Sequence, residues 1–504
     1  MSVEDIVADT VSRLRQAVHE APVQPRTREI GRVLYAGDGI AGVAGLPGAQ
    51  AEELIRFPND IMGIAFNLDE DEVGCVLLGP DEAVAAGDTV HRTGEVVRTA
   101  VGDELIGRVV DPLGEPLDDG PEIEPDRYEP IEREAPAVLD RAYVNRPLAT
   151  GVKSIDAMIP VGRGQRELII GDRSTGKTTI GIDAILNQSR NEVICVYVAI
   201  GQKASSVARF AETLRSRGAL DYTVVVVADA DSPPGMRYIA PYAGCTVSEY
   251  FMRKGHDTLI VYDDLTKHAQ TYREISLLLR RPPGREAYPG DIFYIHSRLL
   301  ERATQLSEEN GGGSQTALPI IETQAQNLSA YIPTNLISIT DGQIYLNPEL
   351  FQSGFLPPVD IGASVSRVGG KTQLPAMKKV AQELRLQYTQ FRELEEFTKF
   401  GTTVEEETQR TLEAGRRVRE LLKQPAHQPV PLAEQALLLH LAAEGELMDI
   451  LAEGVAEFES QFRAAARERL GDVLARIQDG ESLTDEDVEA VKSVAQQVKD
   501  QMPD

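Results

Sequence analysis

The chain has 504 residues, of which 42% are hydrophobic and 26% charged, a composition typical of a globular protein and not of a disordered one. With 51 basic and 79 acidic side chains the net charge is −28, which disfavours nucleic acid or an anionic lipid surface as a partner. The longest uninterrupted apolar run, residues 193–200, is much shorter than the roughly 20 residues of a membrane-spanning helix. Three dispersed cysteines in apolar surroundings indicate reduced core thiols, as expected in the cytosol: Cys75, Cys195 and Cys245.

The N-terminal residues are predicted to form a separate helix. Apolar side chains recur at steps of three, four and seven between positions 3 and 18, which is the pattern of an amphipathic helix. Pro22 and Pro25 then interrupt the pattern and separate this helix from the rest of the chain. A helix isolated in this way either docks on a partner helix or packs against its own domain.

The next region is rich in β-strand patterns. Short β-branched runs alternate with turn signals from residue 29 to about residue 123, at 32–35, 73–78, 95–99 and 105–110. This pattern predicts a small antiparallel barrel. Prolines then become frequent and indicate an extended connection.

The rest of the chain changes from an α/β pattern to an all-helical one. Continuous apolar strands, predicted at 168–170, 193–200, 223–228 and 259–262, alternate with helical stretches and indicate a parallel sheet flanked by helices. Beyond residue 378 the chain is rich in good helix formers, which predicts a helical bundle. We therefore expect an α/β protein divided into an N-terminal helix over 1–24, a β-barrel over 25–96, a central nucleotide-binding domain over 97–377 and a helical domain over 378–504.

A phosphate-binding loop is predicted between the first strand of the sheet and the helix after it. Residues 171–178 fit the pattern G-x-x-x-x-G-K-[ST] in the required strand and helix context. Glycines let backbone N–H groups face the phosphates, Lys177 supplies a positive charge and Thr178 a hydroxyl for Mg²⁺. The alternative is a loop that keeps the shape without the ligand. The predicted phosphate-site residues are Gly171, Asp172, Arg173, Ser174, Thr175, Gly176, Lys177, Thr178 and Thr179.

The ends of two further strands are predicted to contribute to the site. Asp263 follows an apolar strand and is expected to hold a water on the Mg²⁺, whereas Asp264 is expected to cap the next helix. Hydrolysis also needs a group that positions the attacking water, usually a carboxylate one strand away. After the strand at 193–200 the chain has Gln202, a neutral amide that takes no proton. The site is therefore predicted to bind nucleotide without turning it over, although spacing alone does not single out Gln202.

Long motifs along nearly the whole chain resemble the alpha subunits of F-type ATP synthases. Besides the phosphate loop they are GDGIA at 37–41, FNLDED at 66–71, GRGQREL at 162–168, YDDL at 262–265, SLLLRRPPGREAYPGD at 276–291 and SVSRVGG at 364–370.

This resemblance implies a six-stranded barrel, a RecA-like nucleotide domain and a C-terminal helical domain. Three such chains would alternate with three beta subunits around a rotating gamma subunit, binding Mg²⁺ with ATP or ADP without hydrolysis. In the family the arginine at Arg367 reaches the beta active site and stabilises charge on the transferring phosphoryl group. Ser364 corresponds to a position needed for activity and is expected to act with Arg367 at the neighbouring beta site. Phe351 and Gln424 correspond to positions beside the nucleotide ring.

The resemblance also places the chain in an assembly. It implies that the N-terminal helix docks on peripheral-stalk subunits and that the complex makes ATP from an ion gradient, or hydrolyses ATP to pump ions. The chain would lie at the cytoplasmic face of a bacterial plasma membrane and reach the membrane only through the complex.

Three positions depart from the usual pattern of the family. Ser174 stands where Gln is common, Leu356 where Arg is usual, and Ala426 in place of a second glutamine near the adenine. These losses are expected to weaken nucleotide binding or to broaden its specificity. Each lost hydrogen bond is expected to cost about 1 kcal/mol or more of binding free energy. Together with the glycine-rich loop at 311–314, these substitutions resemble the divergent second type of bacterial ATP synthase.

Two other classes of protein compete with this interpretation. A self-sufficient hexameric motor, such as a Rho-like helicase or a secretion ATPase, would need Glu at the position of Gln202, and the helicase also a basic groove. A nucleotide-free structural ring spacer would explain the three departures but not the intact Lys177, Thr178 and Asp263. Nucleotide binding separates the spacer from the alpha-type subunit.

Overall fold

The computed structural model describes residues 29–190, 193–398 and 406–502, so the helix predicted over 1–24 lies outside the described residues. The chain divides into two compact units, Met1–Glu95 and Val96–Asp504. The first contains the barrel and the second the α/β and helical parts.

The barrel is closed and antiparallel, with the strand order β1-β2-β5-β4-β3-β6. Its strands are β1 Ile30–Gly37, β2 Ile40–Ala44, β3 Glu53–Arg56, β4 Met62–Leu68, β5 Val73–Leu77 and β6 Thr89–Val96. The turn between β1 and β2 has positive φ at both Asp38 and Gly39, as a two-residue hairpin turn requires. Val33, Ile55 and Leu77 belong to the apolar interior of the barrel.

Two predictions for the β-rich region were wrong. The run at 95–99 is not one strand, because β6 ends at Val96 and a separate strand, β7 Arg98–Val101, begins after the buried Val97. The run at 105–110 is not part of the barrel: only β8, Val109–Val110, is a strand, and it pairs with the central sheet. β-branched residues favour a strand but do not determine which sheet it joins.

The second unit contains a two-stranded and an eight-stranded sheet. β7 pairs with β9, Arg127–Pro130. The other strands are β10 Leu168–Asp172, β11 Ile194–Ile200, β12 Thr223–Ala228, β13 Asp257–Asp263, β14 Ser314–Thr323, β15 Gly342–Leu346 and β16 Val365–Ser366. The larger sheet has the order β16-β15-β10-β14-β13-β11-β12-β8, and β16 alone runs antiparallel to its neighbour.

Helices cover the central sheet and form the C-terminal part. Around the sheet lie α1 Lys153–Met158, α2 Lys177–Leu186, α3 Ala204–Ser216, α4 Pro234–Arg253, α5 Leu265–Leu278, α6 Ile292–Leu300, α7 Tyr331–Ile339 and α8 Pro348–Gln352. The C-terminal helices are α9 Pro375–Thr398, α10 Glu406–Leu422, α11 Leu432–Ala443, α12 Val455–Arg469, α13 Gly471–Gln478 and α14 Asp485–Lys499.

One apolar core joins the sheet to the C-terminal helices. Leu318 on β14, Leu384 on α9, Leu437 on α11 and Phe458 on α12 belong to the same buried cluster. The predicted fold class is confirmed: a six-stranded barrel, a mainly parallel α/β part and a helical part. The three cysteines are free and buried, as expected of core thiols. Among the described residues, no helix is both long and apolar enough to cross a membrane.

Candidate nucleotide site

The phosphate loop lies between β10 and α2. Its backbone has positive φ at Ser174 and at Gly176, the residue before the helix. A Cβ on Gly171 would lie 2.9 Å from both Leu346 Cβ and Thr175 Oγ1, so glycine is needed there. Gly176 has open space where its Cβ would be. The loop therefore leaves room for a ligand at the N-terminus of α2, where backbone N–H groups and the helix dipole favour an anion.

Lys177 and Asp172 hold the loop in shape. Lys177 Nζ donates to the carbonyl oxygen of Asp172 across 2.6 Å, and Thr175 Oγ1 donates to the same oxygen across 2.8 Å. The Asp172 carboxylate accepts from Thr323 Oγ1 at 2.6 Å on the neighbouring strand β14. Lys177 is only 7% exposed, and burial lowers its pKa. Arg173 and Ser174 are exposed at the tip of the loop.

Three side chains donate to Asp263 at the end of β13. Thr178 Oγ1 and Tyr197 OH each lie 2.6 Å from Oδ2, and Gln202 Nε2 lies 2.8 Å from Oδ1. Burial raises the pKa of Asp263, while the bonds from Thr178 and Tyr197 and the charge of Lys177 oppose that rise. The structure thus brings together Thr178, Gln202 and Asp263, which are far apart in the sequence.

Asp264 has a different role from its neighbour. Its Oδ1 accepts from the backbone N–H of Lys267 at 2.7 Å, which confirms the prediction that it caps the next helix, α5. Burial and the adjacent Asp263 raise the pKa of Asp264 to about 7.

The residues around Asp263 fit a magnesium ion that also binds phosphate. Thr178 offers a hydroxyl oxygen and Asp263 a carboxylate, and Mg²⁺ prefers such oxygen ligands while keeping waters and substrate phosphates. The described part of the chain contains no group of three or more His, Cys, Asp or Glu residues able to hold a metal by themselves. A Mg²⁺ here would therefore depend on the nucleotide phosphates.

A cavity of about 830 Å³ extends from the phosphate loop to helix α12. Thr175, Gly176 and Thr179 line its phosphate end, and Phe351 and Gln424 also line it. The structure therefore brings the predicted ring-side positions into the same cavity as the loop.

Arg367 and Ser364 do not line this cavity. Arg367 is exposed on the segment after β16, where its Nη2 donates to the carbonyl oxygen of Ile337 across 3.1 Å. Ser364 is fully buried, and its Oγ donates to Asp360 O at 2.6 Å while accepting from Tyr345 N at 2.9 Å. The hydroxyl of Ser364 thus holds the segment that carries Arg367.

Sequence reasoning missed two contributors to the site. Tyr197 is a fully buried partner of Asp263, but an aromatic residue inside an apolar strand gives no functional signal. Lys153 and Glu459 form a buried ion pair that lines the cavity, although 306 positions separate them. None of these three residues lies in a motif, so only the fold could have placed them at the site.

Comparison with known protein families matches three parts of the chain. Residues 26–94 match the "ATP synthase alpha/beta family, beta-barrel domain", residues 151–366 the "ATP synthase alpha/beta family, nucleotide-binding domain" and residues 373–498 the "ATP synthase alpha/beta chain, C terminal domain". The matches follow the three structural parts in order.

Individual curated proteins are similar over nearly their whole length. "ATP synthase subunit alpha 2" of Syntrophotalea carbinolica is 56% identical over 497 residues, 99% of this chain and 95% of the relative. The protein of the same name from Albidiferax ferrireducens is 59% identical over 93% of this chain and 88% of its own length. "ATP synthase subunit alpha 1" of a Marinomonas species is 55% identical, covering 96% of this chain and 95% of the relative.

Proposed function

The chain belongs to the ATP synthase alpha/beta family, and from this premise we propose that it is the regulatory alpha subunit of a rotary F-type ATP synthase. In this role it binds ATP or ADP with Mg²⁺ at its own site without hydrolysing it. The complex couples ATP synthesis, or ATP hydrolysis, to ion movement across a membrane.

The observation that carries this proposal is the hydrogen bond from Gln202 to Asp263. Gln202 Nε2 lies 2.8 Å from Asp263 Oδ1 and so occupies the position after β11 where a water-activating carboxylate is expected. A carboxamide cannot accept a proton from water at neutral pH. The intact phosphate loop binds the ligand, and the missing base leaves it unreacted.

A second part of the proposal concerns Arg367. The exposed guanidinium stands on a segment that does not line this chain's own nucleotide cavity, which suits a contribution to a neighbouring site. A permanently charged, planar guanidinium supplied in trans stabilises charge on a transferring phosphoryl group. We assign that site to an adjacent beta subunit, with Ser364 as a positioning residue.

The remaining assignments also rest on the family. We propose beta and gamma subunits as ring and shaft partners, and peripheral-stalk subunits at the N-terminal helix. The location is the cytoplasmic face of a bacterial plasma membrane, reached through the complex. We also propose that the domains end at residues 24, 96 and 377. The chain is further proposed to belong to the divergent second type of bacterial ATP synthase.

One experiment tests the central claim. Mg-ATP binding by the purified full-length chain is measured by calorimetry, with phosphate release followed in the same sample and Lys177→Ala as the control. We expect binding without release, and at least about tenfold weaker binding by the variant. No binding by the wild type would favour the structural spacer, and sustained release would make the chain a motor by itself.

A further inference from the structure

The carboxamide of Gln424 is already engaged by the protein. Its Oε1 accepts from the backbone N–H of Lys153 at 3.0 Å. Its Nε2 donates to the carbonyl oxygens of Gly151 at 2.7 Å and Gln428 at 2.8 Å. A carboxamide has only two N–H donors, and Gln424 is 7% exposed. Gln424 therefore holds the loop after α10 against the start of α1 and has no N–H donor left for a nucleobase, and the one lone pair that remains on its Oε1 belongs to a buried side chain.

Most other polar side chains that line the cavity are also paired within the protein. These pairs are Asp183 with His427, Lys153 with Glu459, Lys423 with Glu420, and Arg463 and Arg467 with Glu434. A base that used one of these groups would have to break an existing ion pair or hydrogen bond. The exposed Gln428 carboxamide is one group that stands outside these pairs.

Apolar side chains line the cavity together with Gln428. Phe351 and Leu356 are 41% and 44% exposed, and Pro357 and Ala426 line the cavity with them. An aromatic ring stacks on any base, because every base presents a π-face. Apolar pockets distinguish similar ligands by only about 10- to 200-fold, whereas sites that hydrogen-bond a ligand group can reach roughly 10⁴-fold or more.

We propose that this site selects its ligand by the Mg-triphosphate group and by stacking, so that it accepts both purine nucleoside triphosphates with weak discrimination between adenine and guanine. Gln424 is then a positioning residue and does not contact the base edge. This inference rests on the proposed function, because it presupposes that the phosphate loop binds nucleotide.

The test compares Mg-ATP and Mg-GTP binding by calorimetry on the full-length chain. We expect the two dissociation constants to differ by less than about 200-fold, the upper end of the range of an apolar pocket. A larger preference for ATP, with ATP binding still lost in Lys177→Ala, would overturn the inference and leave the proposed function standing. Failure to bind either nucleotide would overturn both.

Variants separate positioning from base contact. Gln424→Ala is expected to weaken both ligands by the same factor and leave the ATP-to-GTP ratio unchanged; a changed ratio would overturn the positioning role. Gln428→Ala is also expected to leave the ratio unchanged, and a change there would show a base contact.

Ala426→Gln adds a free carboxamide, which can pair with two edge groups of adenine, and is expected to increase the preference for ATP. An unchanged ratio in Ala426→Gln would count against apolar selection as the cause, and this variant does not depend on the fold tolerating the loss of Gln424.

Discussion

Gln202 and Asp263 form a hydrogen bond of 2.8 Å between the ends of two adjacent strands, β11 and β13. The amide donates and the carboxylate accepts, so the pair stabilises the ionised form of a buried acid. Burial raises the pKa of Asp263, and the hydrogen bonds that it accepts from Thr178 and Tyr197 oppose that rise. In the proposed function, Gln202 stands where a water-activating carboxylate would be.

Gln202→Glu is expected to destabilise the chain more at pH 8 than at pH 5. Two carboxylates at this distance cannot both ionise without repulsion, so the pKa of one rises and the stability present at low pH is lost as the pH increases. Thermal unfolding midpoints at both pH values measure the effect. Gln202→Ala is the matched control, because it removes the amide without adding a charge. An equal loss in both variants at both pH values would contradict the expectation.

Thr178→Ala is expected to reduce the Mg²⁺ dependence of ATP binding by about tenfold, which corresponds to about 1.4 kcal/mol, because the ion loses one of its oxygen ligands. Calorimetry with and without EDTA measures this dependence. Thr178→Ser keeps the hydroxyl and should behave like the wild type. If all three proteins lost the same affinity on metal removal, Thr178 would not be a ligand.

Arg367→Lys is expected to lower ATP turnover of the assembled complex by about 10³-fold while ATP binding at this chain's own site is unchanged. A lysine keeps the charge but loses the planar, bidentate guanidinium. Steady-state phosphate release measures turnover. Arg215→Ala, an exposed arginine on α3 paired with Glu212, is the control and should turn over normally. Normal turnover in Arg367→Lys would remove this side chain from the mechanism.

Ser364→Ala is expected to lower the free energy of unfolding by about 1–3 kcal/mol. The buried backbone N–H of Tyr345 loses its acceptor, and an unsatisfied buried donor costs that much. Urea unfolding compares it with Ser353→Ala, whose exposed hydroxyl donates only to Leu350 O and whose loss should be almost neutral. If Ser364 only positions the segment that carries Arg367, ATP turnover of a complex with Ser364→Ala should fall far less than turnover with Arg367→Lys.

Asp264→Asn is expected to gain stability relative to the wild type as the pH rises from 5 to 8. Burial raises the pKa of Asp264 from 3.8 to about 7, so in this window the folded chain holds a proton that the unfolded chain releases. The free energy of unfolding therefore falls as the pH rises towards 7, by up to about 1.4 kcal/mol for each pH unit. Asparagine keeps the helix cap and cannot ionise. Thermal unfolding midpoints at pH 5 and pH 8 measure the effect, and Asp221→Asn, at an exposed position, is the control. Equal changes in midpoint for the two variants between these pH values would contradict the expectation.

Much of the fold and part of the site could be predicted from local patterns. The apolar runs at 223–228 and 259–262 correspond to β12 and the centre of β13, because continuous burial leaves a continuous apolar run. The phosphate loop and Asp263 could be expected on the same edge of the sheet, since the carboxyl ends of parallel strands lie together. By contrast, Val109–Val110 was assigned to the wrong sheet, because strand propensity contains no information on its partner.

The sequence by itself determined the phosphate loop and the order of barrel, parallel sheet and helices. These features depend on residue types at short spacing, which the chain displays directly. Only the tertiary structure decided that Tyr197 supports Asp263, that Ser364 is buried beneath the segment of Arg367, and that Gln424 bonds to the backbone around α1. Each of these contacts joins residues distant in the chain, and their hydrogen bonds form because folding buries polar groups that must then find partners.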